Sequence, residues 1–283
     1  MRALKRLSYR FLAGCLVLQA GLAQGQQRAD VSPVNDSHEI PFQLHESYLI
    51  AVEGRIGNLD KLKCLIDTGA SHSVVNKRIA QRLQLPREPG RVFKFERYTT
   101  VEWAVLPEVQ IGPITVRDAK FIVDHQSLDI PRDFDAIIGL DLLAKTSGFL
   151  IDYPAKMISF RNISASQSNR LTCLTAQMFL QGHPVNLVAD TGMHGFLLYE
   201  DLRRRFPDLK FKMEKTVGLG QIRAKQAKVS GMRLGSRESE VVVYLIRRPS
   251  QGTPSDVDGY FGMDALNANV VEFDFENRRL RWD

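Results

Sequence analysis

Apolar and polar positions along this chain fall into short runs, many alternating with a period of two, broken repeatedly by Gly, Pro and Asn; that pattern predicts strands and hairpins. Tyr48-Leu49-Ile50-Ala51-Val52, a Gly57-Asn58 break and Leu62-Lys63-Cys64-Leu65-Ile66 predict a hairpin whose second strand runs straight into Asp67. Ser73-Val74-Val75 continues extended, and Asn76 is placed to cap a short helix that reaches Leu83 and is stopped by Pro86. Phe93, Phe95, Val101, Trp103 and Val105 alternate on either side of a polar tip at Arg97 to Thr100, the pattern of a long hairpin. A further hairpin turns at Gly112-Pro113, and a polar loop, Gln126 to Asp133, leads into Ile137-Ile138-Gly139.

The same series then recurs. A shift of 123 residues places Asp67 on Asp190, Ile111-Gly112 on Leu234-Gly235, Asp135 on Asp258, and Ile137 to Asp141 on Tyr260 to Asp264 without a gap. After a slip of one residue, Ile151-Asp152-Tyr153 falls on Phe273-Asp274-Phe275 and Ile158-Ser159-Phe160 on Leu280-Arg281-Trp282. The short helix has a counterpart at Tyr199 to Phe206 before Pro207. The long hairpin has one at Val217 to Val229, with flexible backbone at Gly218-Leu219-Gly220. We read this as an internal duplication. Two copies are too few for a solenoid, so the expectation is a mainly β, bilobal molecule: two similar lobes with short helices, related by a pseudo-twofold. The N-terminal lobe spans 45–161, a linker 162–170 and the C-terminal lobe 171–283.

At 283 residues and 44% hydrophobic content, the chain can build two modest cores. Its formal charge of +6 invites a nucleic-acid reading, but Arg2, Lys5, Arg6 and Arg10 sit unopposed in the first 23 residues, and without them 34 basic face 32 acidic residues. The clustered basic face that nucleic acid requires is missing. That first stretch, 1–23, reads as a secretory signal: a basic start, an apolar run from Phe11 to Ala23, and small residues at Gly21 and Ala23. The run is too short to span a membrane. Leu12-Ala13-Gly14-Cys15 resembles a lipoprotein lipobox, but Cys15 lies inside the apolar run with Arg10 just before it, so plain export to the periplasm or medium is the expectation. Residues 24–44 read as a loose polar leader. Cys64 and Cys173 do not correspond in the repeat; they are either a pair across the lobes or, as we expect, two separate buried thiols. The six histidines show no metal-ligand spacing, and neither a Gly-x-Ser-x-Gly elbow nor a phosphate loop occurs, so neither metal nor cofactor is expected.

The chemistry lies in the two Asp-Thr-Gly loops. A carboxylate at the end of an apolar strand is costly alone. Two that meet at a twofold axis cannot both ionise and share one proton, leaving one base and one acid. The base can activate a water against a peptide carbonyl; the acid can protonate the developing oxyanion and then serve the leaving nitrogen. Gly69 and Gly192 permit the tight turn and the close approach of the partner loop. The hydroxyls of Thr68 and Thr191 are placed to bond across the axis.

These residues resemble the retropepsin-like and pepsin-like aspartic proteases, in particular exported bacterial retropepsin-like proteins with two copies in one chain, from Tyr48 to the C-terminus. Asp67-Thr68-Gly69-Ala70-Ser71 matches the family's loop in full. Ile137-Ile138-Gly139 and Tyr260-Phe261-Gly262, each ending 72 residues after its Asp, match the apolar-apolar-Gly element packed behind it. The resemblance implies an aspartic endopeptidase with Asp67 and Asp190 as catalytic pair, their division of labour being the known one for such enzymes. It also implies a cleft for a peptide or protein substrate, no cofactor, and a monomer holding an intramolecular pseudo-dimer. The hairpins near Tyr98 and at Gly218 to Gly220 become flap candidates, although Tyr98 reads more readily as cross-strand packing. The second loop departs from the pattern at Met193 and His194. Met193 cannot donate to a carboxylate; His194 is either close enough to shift the working pH or a surface loop residue. The alternative function is therefore a bilobal peptide-binding module with weak or no catalysis. Asp141 and Asp264 read as turn or short-helix residues outside the chemistry.

Overall fold

The computed structural model describes residues 38–94, 97–124, 130–131, 133–163, 173–219, 222–235, 237–250 and 254–283. The stretch read as an export signal, the leader up to residue 37, the linker from 164 onward and Gly220 lie outside them.

The described chain is mainly β. Strands β1 (His38–His45), β2 (Leu49–Ile56) and β3 (Leu59–Ile66) lead to the first Asp-Thr-Gly loop. After it come β4 (Val74–Asn76), α1 (Lys77–Arg82), β5 (Arg87–Lys94), β6 (Arg97–Ile111), β7 (Ile114–Asp124), β8 (Ala136–Ile138), α2 (Leu140–Leu143), β9 (Thr146–Asp152) and β10 (Met157–Ile163). The second half runs β11 (Thr175–Leu180), β12 (His183–Asp190), β13 (Phe196–Tyr199), α3 (Leu202–Arg205), β14 (Lys212–Leu219), β15 (Ile222–Leu234), β16 (Arg237–Ile246), β17 (Gly259–Gly262), a 3-10 turn (Met263–Ala265), β18 (Val270–Asp274) and β19 (Arg279–Trp282).

Strand for strand, the two halves are ordered alike. The first contains β2-β3-β8-β4-β7-β6-β5 and the second β11-β12-β17-β13-β16-β15-β14. In each, the strand that delivers the Asp pairs in parallel with the apolar-apolar-Gly strand: Ile66 opposite Ile138, and Ala189 opposite Phe261. Sandwiched between neighbours, the paired segments Cys64-Leu65-Ile66 and Leu187-Val188-Ala189 are wholly apolar, as buried parallel strands are. Asn76 caps α1 through its side chain, accepting from Arg78 N at 3.0 Å.

Two sequence expectations need correction. Residues 38–44, assigned to a loose leader, belong to β1, whose first part pairs with β10 and whose second part pairs with β2. The alternation Ile40, Phe42, Leu44 is the signal, and burial of Phe42 anchors it. The long hairpin does not turn at Arg97 to Thr100: Lys94 pairs with Arg97 and Phe93 with Tyr98, so those residues lie within β6. Aromatic and β-branched Tyr98, Thr99 and Thr100 favour the strand over the turn.

The halves are joined by a common sheet in which β9 pairs with β18 and Leu150 faces Glu272. Under the repeat with its one-residue slip, Leu150 and Glu272 are equivalent positions, so a pseudo-twofold passes between them. Here Phe149 stacks on Phe273 at 4.8 Å and meets Phe160 and Phe275 at 5.9 and 5.8 Å. One apolar core runs from this cluster into both halves. Phe149→Ala should therefore cost about 3–5 kcal/mol, read as a lower urea midpoint; a loss under about 1 kcal/mol would show that the junction does not hold the halves together.

Candidate active site

β3 is buried to its end, with Leu65 and Ile66 fully enclosed, and hands the chain to Asp67, whose N–H donates to Ile138 O at 3.0 Å. The chain then reverses, and Asp67 Oδ1 accepts from Gly69 N at 2.9 Å and Ala70 N at 3.0 Å. Asp190 closes β12 in the same way, its Oδ1 accepting from Gly192 N at 2.7 Å.

The two loops are locked together reciprocally. Thr68 Oγ1 donates to Ala189 O at 2.8 Å and accepts from Thr191 N at 3.1 Å; Thr191 Oγ1 donates to Ile66 O at 2.8 Å and accepts from Thr68 N at 3.0 Å. Gly69 and Gly192 face the opposite carboxyls. A Cβ on Gly192 would stand 2.6 Å from Asp67 Cγ, and one on Gly69 would overlap the Asp190 carboxyl, so only hydrogen fits at either place.

Both carboxyls are fully buried. Their outer oxygens, Asp67 Oδ2 and Asp190 Oδ2, make no full hydrogen bond with another described group, while the Gly69 amide lies close enough to the Asp190 carboxyl to lower its pKa. The contact open to them is with each other, a hydrogen bond once one carries a proton. Burial pushes Asp67 up to about 6, held there by the Ala70 amide, by the hydrogen bond from Asp190 and by the Gly69 amide. Burial and the neighbouring charge of Asp67 push Asp190 well above the carboxylate range. The two carboxyls therefore titrate as a pair that holds one proton between them over an intermediate range of pH.

Four more acids, equivalent in pairs, support these loops, and sequence reasoning did not assign them that task. Asp141 accepts from Ser73 N at 3.0 Å and Ser73 Oγ at 2.6 Å; Asp264 accepts from Gly195 N at 3.0 Å. Asp135 Oδ2 accepts from Lys63 N and Asp258 Oδ2 from Asn186 N, both at 2.9 Å, tying each Asp-bearing strand to the chain before β8 or β17. The available signal was the repeat itself, which puts Asp135 on Asp258 and Asp141 on Asp264.

The remaining candidates are distributed as follows. Ala70 is buried in an apolar cluster with Leu65, Val92 and Val101, and Met193 in one with Leu197, Ala224 and Tyr260, so the body of each long hairpin packs against the loop of its own half. The Ser71 hydroxyl meets His72 Nδ1 at 2.9 Å, and the His72 ring stands edge-on to Trp103 of β6 at 5.5 Å. Tyr98 lies near the end of its hairpin, 60% exposed. Gly218 is near the end of the other, with open space around it. His194 is half-exposed, its Nδ1 2.9 Å from Asp264 Oδ2, and its ring lies 5.3 Å from that of Tyr48 in the other half. Cys64 and Cys173 are free thiols. Burial, with the charges of Asp190 and Asp67 added, pushes Cys173 up to about 12 and keeps it protonated and unreactive beside the pair. Among the described residues no group of His, Cys, Asp or Glu is arranged to hold a metal ion.

Two Asp-Thr-Gly loops on matching strand orders, locked by threonines, thus bring two buried carboxyls together. Residues 52–145, covering β3, the first loop and β8, match the family of gag-polyprotein putative aspartyl proteases. That similarity to aspartyl proteases lies within the first half of the chain. Among solved structures, it is similar to a retropepsin-like aspartic protease from Rickettsia conorii, at 22% identity and a TM-score of 0.36, over 44% of this chain and 91% of that one. No curated protein matches the sequence.

Proposed function

We propose that this chain is an aspartic endopeptidase in which a water between Asp67 and Asp190 is activated by ionised Asp67 and delivered to a peptide carbonyl, while protonated Asp190 stabilises the developing oxyanion and then serves the leaving nitrogen. The observation that carries this is the pair of fully buried carboxyls, one from each loop, that hydrogen-bond to each other once one is protonated. Their family supplies the class of chemistry. In this reading Tyr98 and the Gly218 to Gly220 stretch belong to flaps over the substrate. The protein is exported and acts as a monomer, with the lobe that runs from β1 to β10 and the lobe that begins before β11 each contributing one carboxyl. A second reading, a cleft that binds peptides without cutting them, draws on one asymmetry: Asp67 Oδ1 takes two loop amides and Asp190 Oδ1 one.

The pH profile separates the two. Below the raised value of Asp67, about 6, both carboxyls are protonated and no base exists; above it Asp67 is ionised while Asp190 keeps its proton. Cleavage of a peptide library by the purified protein, followed by mass spectrometry, should rise as pH passes about 6 and persist at neutrality. Peptide binding without cleavage at every pH establishes the second reading. An optimum below pH 4 overturns the proton assignment.

A further inference from the structure

We propose that His194 is the positioning residue of the second loop, and that its ion pair with Asp264 does there what the Ser73 hydroxyl does with Asp141 in the first. The inference rests on the peptidase reading above.

In the first half, one serine ties the loop to the apolar-apolar-Gly strand behind it. Ser73 N and Oγ donate to the two oxygens of Asp141, and Ser73 Oγ accepts from Gly139 N at 3.0 Å. In the second half, the backbone N–H that reaches the equivalent acid belongs to Gly195, which stands at φ +70 and has no side chain. Gly262 N turns to Gly195 O instead, at 2.8 Å. Asp264 Oδ1 is thus served and Oδ2 left over, and His194 Nδ1 fills it at 2.9 Å. The loop that carries Asp190 is anchored by a group that titrates, whereas the loop that carries Asp67 is anchored by one that does not.

His194 also faces the other half. Its ring leans on Tyr48, whose hydroxyl donates to Glu46 at 3.5 Å. Beyond Asp264, the groups around it are Tyr48 with Glu46, Asp190 at the base of its own loop, and Arg237 and Asp283 across a groove of about 740 Å³ that it helps to line. The balance is acidic, and the hydrogen bond to Asp264 raises the His194 pKa against the opposing effect of burial. A raised histidine contributes its anchoring fully below its ordinary pKa and loses it as pH rises through the folded value. Neutral His194 loses its charge and, in the tautomer protonated on Nε2, its N–H donor to Asp264 as well, so the second loop is held less firmly. The acid limb of activity accordingly belongs to Asp67, and loss of the His194 charge brings the alkaline limb below the point at which Asp190 gives up its proton.

The test uses the full protein with H194A and H194N, the second keeping an N–H donor for Asp264 that does not titrate. H194A should lower kcat by roughly 10–100-fold, the scale of a small misplacement of reacting groups, with KM nearly unchanged. H194N should restore most of that kcat and move the alkaline limb up to where Asp190 alone loses its proton, while keeping the acid limb near pH 6. Carboxyl carbon NMR titration, which needs no turnover, should show Asp190 displaced in H194A and Asp67 little changed. Unaltered kcat and alkaline limb in H194A, or an Asp190 titration that does not move, overturns the inference and leaves the peptidase intact. If instead the two carboxyls of the wild type titrate independently as ordinary acids, the paired-carboxyl reading itself fails.

Discussion

Asp67→Asn should abolish cleavage, by roughly 10³-fold or more on the scale set by loss of a general base, and should stabilise the protein at neutral pH. Asparagine keeps an Oδ1 acceptor for Gly69 N and Ala70 N, so the loop retains the bonds that shape it. What it removes is a carboxyl raised from 3.8 to about 6 by burial. The sign of the linkage is fixed by that direction. The folded state holds its proton more tightly than the unfolded chain, so stability falls as pH rises from about 4 to about 6 and stays lower above. A shift of about two units corresponds to a cost on the order of 3 kcal/mol. The melting temperature of D67N should thus exceed that of the wild type by several degrees at pH 7 and match it at pH 3, while a noncleavable peptide still binds. D190N should be equally inactive. Residual cleavage in both variants would remove the carboxyl pair from the mechanism; a lower melting temperature at pH 7 would show that Asp67 is there to hold the fold.

Local features were legible in the sequence where the physics is local. The hairpin into Asp67, the Asn76 cap and the turns at Gly57-Asn58 and Gly112 are set by neighbouring residues, and they lie where the alternation and the turn formers put them. The pairing of the two loops was legible only because the repeat wrote the same loop twice. Long-range partners left no local trace. Nothing near His38 announces that it pairs with Phe160, and nothing near Phe149 announces Phe273. The same holds at the site. Asp264 looks like a turn acid until the fold brings His194 and Gly195 to it from some seventy positions earlier, and Asp135 and Asp258 look alike because each receives a backbone N–H from a strand that the chain has already left. The departure at His194 was visible, but which of its two readings applied depended on these partners. The structure gives part of each: the ring is half-exposed, and its Nδ1 is committed to the acid that anchors the loop of Asp190.

Thr68→Val should separate rigidity of the site from its chemistry. Valine matches threonine in volume and leaves every apolar contact in place, yet it strands two buried backbone groups, Thr191 N and Ala189 O, both of which depend on the Thr68 hydroxyl. An unmet buried donor or acceptor costs about 1–3 kcal/mol, so the two together should lower stability by roughly 2–5 kcal/mol, read from the urea midpoint. Thr68→Ser keeps the hydroxyl and should lose far less. Thr191→Val strands Thr68 N and Ile66 O in the mirror-related way and should cost a similar amount. The double variant should cost less than the sum, because the first substitution already lets the loops part and the second finds less left to break. Well below its melting temperature, T68V should also lose up to about 100-fold in kcat as the carboxyls drift from bonding range, and the acid limb should move down from about 6 as Asp67 gains water and burial weakens. That downward move is the telling readout: a merely destabilised but unaltered site would keep its limb where it was. If T68V unfolds like the wild type, the reciprocal threonine bonds do not hold the loops, and the closeness of the carboxyls must be maintained by the β9–β18 junction alone.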